Sequence, residues 1–342
     1  MGDYGLNKVI YLYKDSFSLM KLRSGKAHHQ LLPCTSLLEG FRRMGWNPHV
    51  VQFSHAKPQR NHPDIGVMFN FWSKNKEGLS KQKISEHHTK HNIPLICMDA
   101  GAFTSYMSIN KGGSHKRVGW KFHRFGLDSP LGTGRYFNHN SDSKQFDLYK
   151  DLVPDLSFGD WKKGSHVLVL AQNPIGFQFQ DENNTYVEWI NKTIDEIRKV
   201  TDRKIIVRMH PNSKPSNSVL HGGKGNRKLV TIARRDNVEI SQLQGRLNFF
   251  EGLKDAHCCV THSSSAAVDS IMFGVPTFVL SDRCIVHAGL EQVWEDDLSK
   301  IESITERDRT QWAYNMAYTS YTNEQLDEGK PAEKFLEGLN ML

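Results

Sequence analysis

Long apolar runs are missing from this sequence of 342 residues, and no stretch approaches the ~20 apolar residues that a membrane helix needs. The first residues, MGDYGLNKVIYLYKDSF, have neither the basic flank nor the small-residue cleavage site of a signal peptide. Leu6 also stands where a myristoylation signal has Ser or Thr. We therefore expect a cytoplasmic protein without a membrane partner.

Cysteine is scarce as well, with five residues and no C-x-x-C spacing. This pattern argues against a disulfide scaffold or a thiolate zinc site, and it predicts buried, reduced thiols. The remaining metal candidates are His87, His88 and His91, of which positions 87 and 91 share a helix face. No carboxylate or cysteine forms a recognisable ligand set with them, so we expect a solvated surface face and no metal.

Acidic residues are outnumbered, with Lys plus Arg at 44 against Asp plus Glu at 37, a net charge of +7 and a pI near 9.0. This excess favours a polyanionic partner such as DNA, although it is modest for a dedicated nucleic-acid binder. A hydrophobic fraction of 38% with 24% charged residues is typical of soluble proteins. Because 342 residues exceed what one hydrophobic core usually serves, two domains are expected.

Alternating strands and helices predict the fold of each half. In the first half the strands are expected at 9–13, 49–53, 65–72 and 94–99, and the helices at 36–44 and 80–91. In the second half the strands are expected at 166–172, 205–209 and 238–240, and the helices at 187–200 and 247–255. Both series predict a parallel sheet wrapped by helices. Further helical segments at 307–318 and 323–329 finish the chain.

Two stretches lack this periodicity. Residues 213–227 are so rich in Gly, Asn, Ser and Lys that they predict a loop. Gly, Asn, Ser, His and aromatic residues dominate 102–154, and the segment 111–126 is both basic and aromatic. A loop of this length within a compact domain is usually functional or mobile, which marks it as a candidate contact surface.

Two apolar runs end in residues suited to binding phosphate. The run at 204–211, KIIVRMHP, ends in Arg208 and His210, which leave the strand at alternate positions and can point the same way. Both then lie towards the carboxyl end of the sheet, where ligands of parallel sheets bind. In the run at 258–280, a strand gives way to three serines at a helix start, namely Ser263, Ser264 and Ser265. Serine hydroxyls beside free backbone N–H groups make an anion site.

These residues, together with Asp269 and the Gly-Val-Pro at 274–276, resemble the donor half of GT-B-type glycosyltransferases, which bind a sugar nucleotide between two Rossmann-like domains. Capsule-polysaccharide and sialic-acid-type transferases have a similar His-Pro after a strand and a similar serine turn. A group of phage-encoded proteins thought to glycosylate modified DNA bases is more similar still, through the segments 99–103, 161–174 and 318–335.

The resemblance implies an α/β, GT-B-like fold, in which two Rossmann-like domains with parallel sheets face a central cleft. Residues 1–160 would form the acceptor domain and 161–304 the donor domain, with C-terminal helices at 305–342 crossing back to the first domain. A phage-encoded protein of this kind would work in the host cytoplasm.

The function implied is transfer of a sugar from a nucleotide sugar, expected to be UDP-linked, to the hydroxymethyl group of a modified pyrimidine such as 5-hydroxymethylcytosine in double-stranded phage DNA. The alternatives are transfer to a capsule or surface polysaccharide, and a non-catalytic nucleotide- or DNA-binding module. The sequence has no Asp-x-Asp pair of the kind that metal-dependent glycosyltransferases use, so we expect metal independence and no cofactor besides the nucleotide sugar.

Several donor-binding roles are implied by the resemblance. His210 would donate to a phosphate or sugar oxygen and Arg208 would add charge, while a helix-capping histidine is the alternative. The serine turn would hold the diphosphate, or it would be a plain helix cap. Asp269 matches the acidic position that grips ribose hydroxyls, although GT-B enzymes more often have Glu there, and an exposed helical Asp is the alternative. Gln172, with Asn173, would bind sugar or phosphate or satisfy loop backbone.

The acceptor side has two kinds of candidate. Asp99 ends a strand before the small residues 100–102, which would let a substrate approach; its carboxylate is a candidate general base, and a turn-forming Asp is the alternative. The basic, aromatic segment would face the acceptor and contact DNA through charge and stacking, unless it is solvated charge over buried aromatics. A base in duplex DNA would have to leave the stack to react. The residues of this segment are Lys116, Arg117, Trp120, Lys121, His123 and Arg124.

Overall fold

The computed structural model describes residues 8–14, 32–52, 63–69, 76–103, 122–153, 155–172, 179, 185–210, 218–221, 228–241 and 246–342. The strands in these ranges are β1 (Val9–Lys14), β2 (Asn47–Gln52), β3 (Ile65–Phe69), β4 (Leu95–Ala100), β5 (Phe122–Leu127), β6 (His166–Leu170), β7 (Lys204–Arg208), β8 (Ser218–His221), β9 (Lys228–Thr231), β10 (Val238–Ser241), β11 (Ala256–Thr261), β12 (Thr277–Val279) and β13 (Ser320–Thr322).

The α-helices described are α1 (Leu32–Arg43), α2 (Lys76–Lys90), α3 (Lys144–Leu152), α4 (Tyr186–Arg198), α5 (Arg246–Lys254), α6 (Ala266–Met272), α7 (Thr310–Ala317), α8 (Asn323–Asp327) and α9 (Lys330–Gly338). Short 3-10 helices cover Ile285–Gly289 and Leu298–Ser303. No helix in the described part of the chain has both the length and the apolar character needed to cross a bilayer.

The first sheet has the strand order β2-β1-β3-β4-β5-β13. Its first four strands are parallel, as the alternating pattern predicts, and every residue of β3 is buried, as expected for a strand covered on both faces. Strands β5 and β13 extend the sheet as antiparallel neighbours, which the sequence did not predict.

The second sheet has the strand order β10-β7-β6-β11-β12, and all its pairs are parallel. The chain runs outward from β6 to β7 and β10, and then returns to the other side of β6 with β11 and β12. The strand order therefore reverses between β6 and β11. In open α/β sheets ligands bind at this switch point, outside the carboxyl ends of the strands.

Helix α4 shows how the local sequence fixes an element. Thr185 caps its N-terminus, since the Thr185 hydroxyl accepts from the Glu188 N–H and the Glu188 carboxylate accepts from the Thr185 N–H. Ile190, Ile194 and Ile197 recur at helical spacing and are fully buried against the second sheet. The expected helix at 187–200 is therefore confirmed, with bounds one or two residues earlier.

The C-terminal segment packs on the first sheet. Strand β13 pairs with β5 at its edge, and helices α8 and α9 contact α1. Gly40 of α1 lies so close to Gly329, between α8 and α9, that a Cβ added at position 40 would be 2.7 Å from the Gly329 Cα. This close backbone approach requires a glycine at position 40.

One apolar cluster joins the two sheets. It contains Phe122 and Tyr149 from the first half of the chain, Leu170 and Val268 from the second, and Trp312 of α7. The rings of Phe122 and Tyr149 are stacked with centroids 3.6 Å apart. The two sheets therefore share a continuous core.

Two expected loops contain regular structure. Within 102–154, β5 and α3 are formed, and every residue of β5 is buried, including the polar His123 and Arg124. The loop prediction was wrong there, because the polar pair in the middle of FHRFGL hides the strand pattern. Within 213–227, strand β8 pairs antiparallel with β9, so the loop prediction was wrong for Ser218–His221 too.

Candidate functional site

The carboxyl ends of three neighbouring strands bring the predicted donor residues together. Leu170 of β6 pairs with Arg208 of β7, and Val169 pairs with Val260 of β11. After each of these strands the chain leaves the sheet at the same edge. His210 follows β7, Gln172 follows β6 and the serine turn follows β11. The structure therefore places these predicted residues at the switch point of the second sheet.

Gln172 and Ser263 are bonded directly across the switch point. The Gln172 Nε2 donates to the Ser263 Oγ at 3.1 Å, and the Ser263 N–H donates to the Gln172 Oε1 at 3.0 Å. Both residues are buried, with exposed fractions of 1% and 2%. Of the two roles open for Gln172, satisfying loop backbone is the one observed in this structure.

The three serines of the turn have different surroundings. Ser263 is buried, and its hydroxyl also lies 3.3 Å from the His262 Nδ1. The Ser264 N–H donates to the Thr261 Oγ1 at 3.2 Å, and its hydroxyl accepts from the Ala266 N–H at 3.3 Å. Ser265 is exposed at the start of α6, and its side chain makes no capping hydrogen bond. The Ser265 hydroxyl is thus the one in the turn best placed to meet a ligand.

Arg208 and His210, at the carboxyl end of β7, are both half-buried. The Arg208 guanidinium carbon lies 5.2 Å from the centroid of the Phe249 ring, which holds the cation over an aromatic face. Burial lowers the pKa of Arg208 below its usual value, but an arginine keeps its charge at neutral pH. Burial also lowers the pKa of His210. We therefore expect a neutral His210 that donates a hydrogen bond, while Arg208 supplies the charge.

Asp269 lies one turn into α6 and is 2% exposed. The alternative of an exposed helical aspartate is therefore wrong. Its burial comes from packing of α6 between β11, β12 and the 3-10 helix at Ile285–Gly289. Contact with a ribose stays a prediction for this residue.

On the first sheet, Asp99 and Arg124 are cross-strand partners in β4 and β5. The Arg124 Nη2 lies 3.4 Å from the Asp99 Oδ2, and the Asp99 Oδ1 accepts from the Ala100 N–H at 2.8 Å. The Asp99 side chain is 25% exposed, whereas the Arg124 side chain is only 5% exposed. Arg124 was predicted in an acceptor-facing loop; the loop placement is wrong, because the residue lies in β5, a buried strand with a neighbour on each side.

The small residues after Asp99 have a packing reason. A Cβ added at Gly101 would lie 2.8 Å from the Phe122 Cβ and 2.9 Å from the Tyr149 hydroxyl. Gly101 and Ala102 are buried in the shared core. The sequence-based interpretation, that they let a substrate approach the backbone, is therefore replaced by close packing.

Cys284 connects the two halves of the site. Its Sγ lies 3.5 Å from the Ser264 carbonyl oxygen. The backbone carbonyl of the preceding residue, Arg283, accepts a hydrogen bond from the Gly132 N–H at 3.1 Å. Burial raises the pKa of the Cys284 thiol to about 12, while the charge of Arg124 acts in the opposite direction. Arg124 is therefore close enough to Cys284 to act on it electrostatically, and Cys284 contacts the serine turn.

Some predicted site residues cannot be placed, and the expectations for cysteine and metal sites concern described residues. Those outside the described residues are Lys116, Arg117, Trp120, Lys121 and Asn173. All five cysteines are buried thiols that form no disulfide, as predicted. Among the described residues, no cluster of His, Cys, Asp or Glu has the arrangement of a metal site.

His88 lies in the core and not on the surface. It is 1% exposed, its Nε2 lies 2.9 Å from the Tyr13 hydroxyl and its Nδ1 lies 3.2 Å from the Ile93 carbonyl oxygen. Since a carbonyl only accepts, Nδ1 carries the proton and Nε2 accepts from Tyr13. Burial lowers the pKa of His88 to about 4. The expectation of a solvated face was therefore wrong for this histidine.

Sequence reasoning missed several residues. Thr261 and Cys284 support the serine turn, and their role follows from contacts that no local pattern shows. A cavity of about 830 Å³ between α3, α8 and α9 was also missed. It is lined by Tyr318, Lys334 and their neighbours, away from the carboxyl edge of the second sheet.

Comparison with known proteins gives matches among solved structures only. No protein-family profile matches the sequence, and no curated protein sequence reaches a significant match. The KpsC β-Kdo 2,4-transferase of Thermosulfurimonas dismutans superposes with a TM-score of 0.52 and 11% identity, covering 94% of each chain. The KpsC β-Kdo 2,7-transferase of the same organism gives a TM-score of 0.48 and 11% identity, covering 95% of this chain and 99% of its own.

A third similar structure is the UDP-GlcNAc 2-epimerase of Methanocaldococcus jannaschii in complex with UDP-GlcNAc and UDP, with a TM-score of 0.30, 14% identity, and coverage of 96% of this chain and 99% of its own. Only the first of the three superpositions is close enough to carry weight, and at such low identity it establishes the fold alone. The chain is an α/β protein with two parallel-sheet domains in a GT-B-like fold.

Proposed function

We propose that this protein transfers a glycosyl group from a nucleotide sugar to an acceptor hydroxyl, with the donor bound at the carboxyl edge of the second sheet. The observation that carries the proposal is the convergence of Arg208, His210 and the serine turn at the switch point between β6 and β11. A cation, a neutral imidazole and the exposed Ser265 hydroxyl are groups that can stabilise a departing diphosphate.

Each donor-side group has a separate task. Arg208 neutralises charge that develops on the leaving phosphate, and His210 donates a hydrogen bond to a phosphate or sugar oxygen. Ser265 offers its exposed hydroxyl, while the bond between Gln172 and Ser263 holds the turn in place. The nucleoside is expected to be uridine, and Asp269 to bind its ribose.

Asp99 is the proposed general base. Its carboxylate is partly exposed at the carboxyl end of β4, and one oxygen is held by the Ala100 N–H. The acceptor hydroxyl loses its proton to Asp99 as its oxygen bonds the anomeric carbon, and the bond to the phosphate oxygen breaks. Direct displacement of this kind inverts the configuration at that carbon.

We favour a glycan as the acceptor, and the fold similarity to a KpsC β-Kdo 2,4-transferase supports this choice. A hydroxymethylated pyrimidine in DNA is the second candidate, favoured by the net charge of +7 and the motif resemblance. Arg124, buried in β5, no longer supports the DNA candidate. His123 is buried in the same strand, and the other residues predicted to contact DNA, Lys116, Arg117, Trp120 and Lys121, are outside the described residues.

Donor use is tested first. The protein is incubated with UDP-, ADP-, GDP- and CMP-linked sugars in EDTA, and release of the nucleotide is followed by chromatography. We expect release from one donor class without added metal, and a fall on the order of 100-fold in His210→Ala. The matched control is His139→Ala, an exposed histidine of the first half, which should act as wild type. Nucleotide binding without turnover would instead support the non-catalytic module.

The acceptor is identified by mass spectrometry of the products. The same donor is supplied with hydroxymethylcytosine DNA, hydroxymethyluracil DNA, unmodified DNA and acidic or neutral oligosaccharides. A sugar increment on an oligosaccharide supports the glycan acceptor, whereas an increment on one modified nucleoside establishes DNA glycosylation. Loss of either increment in Asp99→Asn, with nucleotide binding intact, is the expected signature of a base.

A further inference from the structure

Arg124 is a buried cation with few partners. Its guanidinium is a planar fork of N–H donors that stays charged in proteins. Among the described residues, the hydrogen bond to the Asp99 Oδ2 at 3.4 Å is the one that its side chain makes, and its Nε has no partner. Charge-assisted bonds of this type are usually about 2.8 Å long. The pair is therefore loose and leaves donors of the fork unused.

A buried charge of this kind needs a second anion. Taking a guanidinium out of water is unfavourable unless its donors are hydrogen-bonded and its charge is paired. Asp99 is the carboxylate in salt-bridge contact with it, and that contact occupies only one nitrogen. The geometry of the fork suits two oxygens of one phosphate or carboxylate group.

Arg124 also lies where the two sheets meet. Phe122, on the same face of β5, belongs to the core that both sheets share, and Gly132 beyond β5 contacts Arg283 through the backbone. Cys284 follows and touches the carbonyl of Ser264. The first sheet thus brings one buried cation towards the turn proposed to hold phosphate.

We propose that Arg124 binds a phosphate oxygen of the donor, so that the first sheet completes the phosphate site of the second. This inference rests on the proposed function. Arg124 rests loosely on Asp99 when the site is empty and turns its unused donors to the phosphate when the donor binds. As the bond from the anomeric carbon breaks, the electron pair stays on the phosphate oxygen beside Arg124 and Arg208. The acceptor proton goes to Asp99.

The test compares binding of a nucleoside diphosphate with binding of its nucleoside by calorimetry. UDP, ADP, GDP and CDP are screened on the wild type, and the tightest is carried forward with its nucleoside. In Arg124→Gln, diphosphate affinity should fall at least about tenfold, since truncating one partner of a buried charge pair has effects of this size or larger. Nucleoside affinity should be unchanged. Arg124→Lys keeps the charge and should recover part of the loss.

The control is Arg135→Gln, because Arg135 is an exposed arginine after β5 that pairs with Asp128. It should bind the diphosphate as wild type does. Equal diphosphate affinity in wild type and Arg124→Gln overturns the inference and leaves the proposed function standing. A wild type that binds none of the four diphosphates and releases no nucleotide from any of the sugar donors overturns both. A parallel loss of nucleoside and diphosphate binding in folded Arg124→Lys marks a structural role and overturns the inference.

Discussion

The side chain of Gln172 holds Ser263 by two hydrogen bonds, one to its hydroxyl and one from its backbone N–H, although 91 residues separate them. They join the loops after β6 and β11 at the place where the strand order reverses. In Gln172→Ala the buried Ser263 N–H loses its acceptor, so unfolding free energy should fall by about 1–3 kcal/mol. Urea denaturation measures this change.

The same substitution should also weaken donor binding, because the turn is no longer held against β6. Gln172→Glu serves as the comparison, since its protonated carboxyl keeps an acceptor oxygen for the Ser263 N–H and an O–H donor for the Ser263 hydroxyl. Its loss of stability should be smaller than that of Gln172→Ala at a pH where the carboxyl is protonated. Equal stability of Gln172→Ala and wild type would contradict this account of the turn.

Substitution of Ser265 should affect donor use and leave stability almost unchanged. Its hydroxyl is exposed and makes no capping hydrogen bond, so Ser265→Ala should change the unfolding free energy by less than about 0.5 kcal/mol. If the hydroxyl meets the donor phosphate, the same substitution should raise the KM for the donor several-fold. Steady-state kinetics beside thermal unfolding separates the two effects. A stability loss as large as that of Gln172→Ala would show that the hydroxyl is structural.

The donor half of the site could be predicted from the sequence for a physical reason. Parallel strands end at a common edge, so residues that follow β6, β7 and β11 must come together whatever the details of packing. His210, Gln172 and the serine turn follow this rule. The bond between Gln172 and Ser263 could not be predicted, because it depends on the register of β6 and β11.

The acceptor half was less predictable because distant segments determine it. Strand β5 has β13, near the end of the chain, as its outer partner, and Arg124 lies on the face of β5 where Phe122 enters the core shared by both sheets. No local pattern in FHRFGL indicates that partner, so the residues were assigned to a loop. The need for a glycine at position 101 could not be predicted either, because the groups that leave no room for a Cβ there belong to the distant residues Phe122 and Tyr149.

Gly40 and Gly252 make a matched pair of glycine substitutions in helices. A Cβ at position 40 would meet the backbone of Gly329 at 2.7 Å, whereas a Cβ at position 252 would meet nothing within 4 Å. Gly40→Ala should lower the unfolding free energy by about 1–3 kcal/mol, since α8 and α9 must shift away from α1. Gly252→Ala should raise it by up to about 1 kcal/mol through helix propensity. Denaturant curves of both variants decide the matter, and a neutral Gly40→Ala would contradict the close approach.

His88 predicts how stability depends on pH. Burial lowers its pKa to about 4 in the folded protein, against about 6.5 in the unfolded chain. The unfolded chain therefore binds the proton more readily, and the contribution of His88 is fully present above pH 6.5 and is lost as pH falls towards 4. The difference of about 2.5 pKa units corresponds to roughly 3 kcal/mol.

Other histidines with lowered pKa, His166, His210 and His287, act in the same direction, so wild type alone does not isolate the effect. His88→Gln removes the titrating ring while the other three remain. The unfolding free energy of His88→Gln should be lower than that of wild type at pH 7, because the buried hydrogen bond from Tyr13 is disturbed. The fall in its unfolding free energy between pH 7 and 4.5 should be smaller than that of wild type by roughly 2–3 kcal/mol. Urea denaturation at the two pH values gives both slopes, and identical slopes would mean that His88 is not a buried neutral acceptor for the Tyr13 hydroxyl.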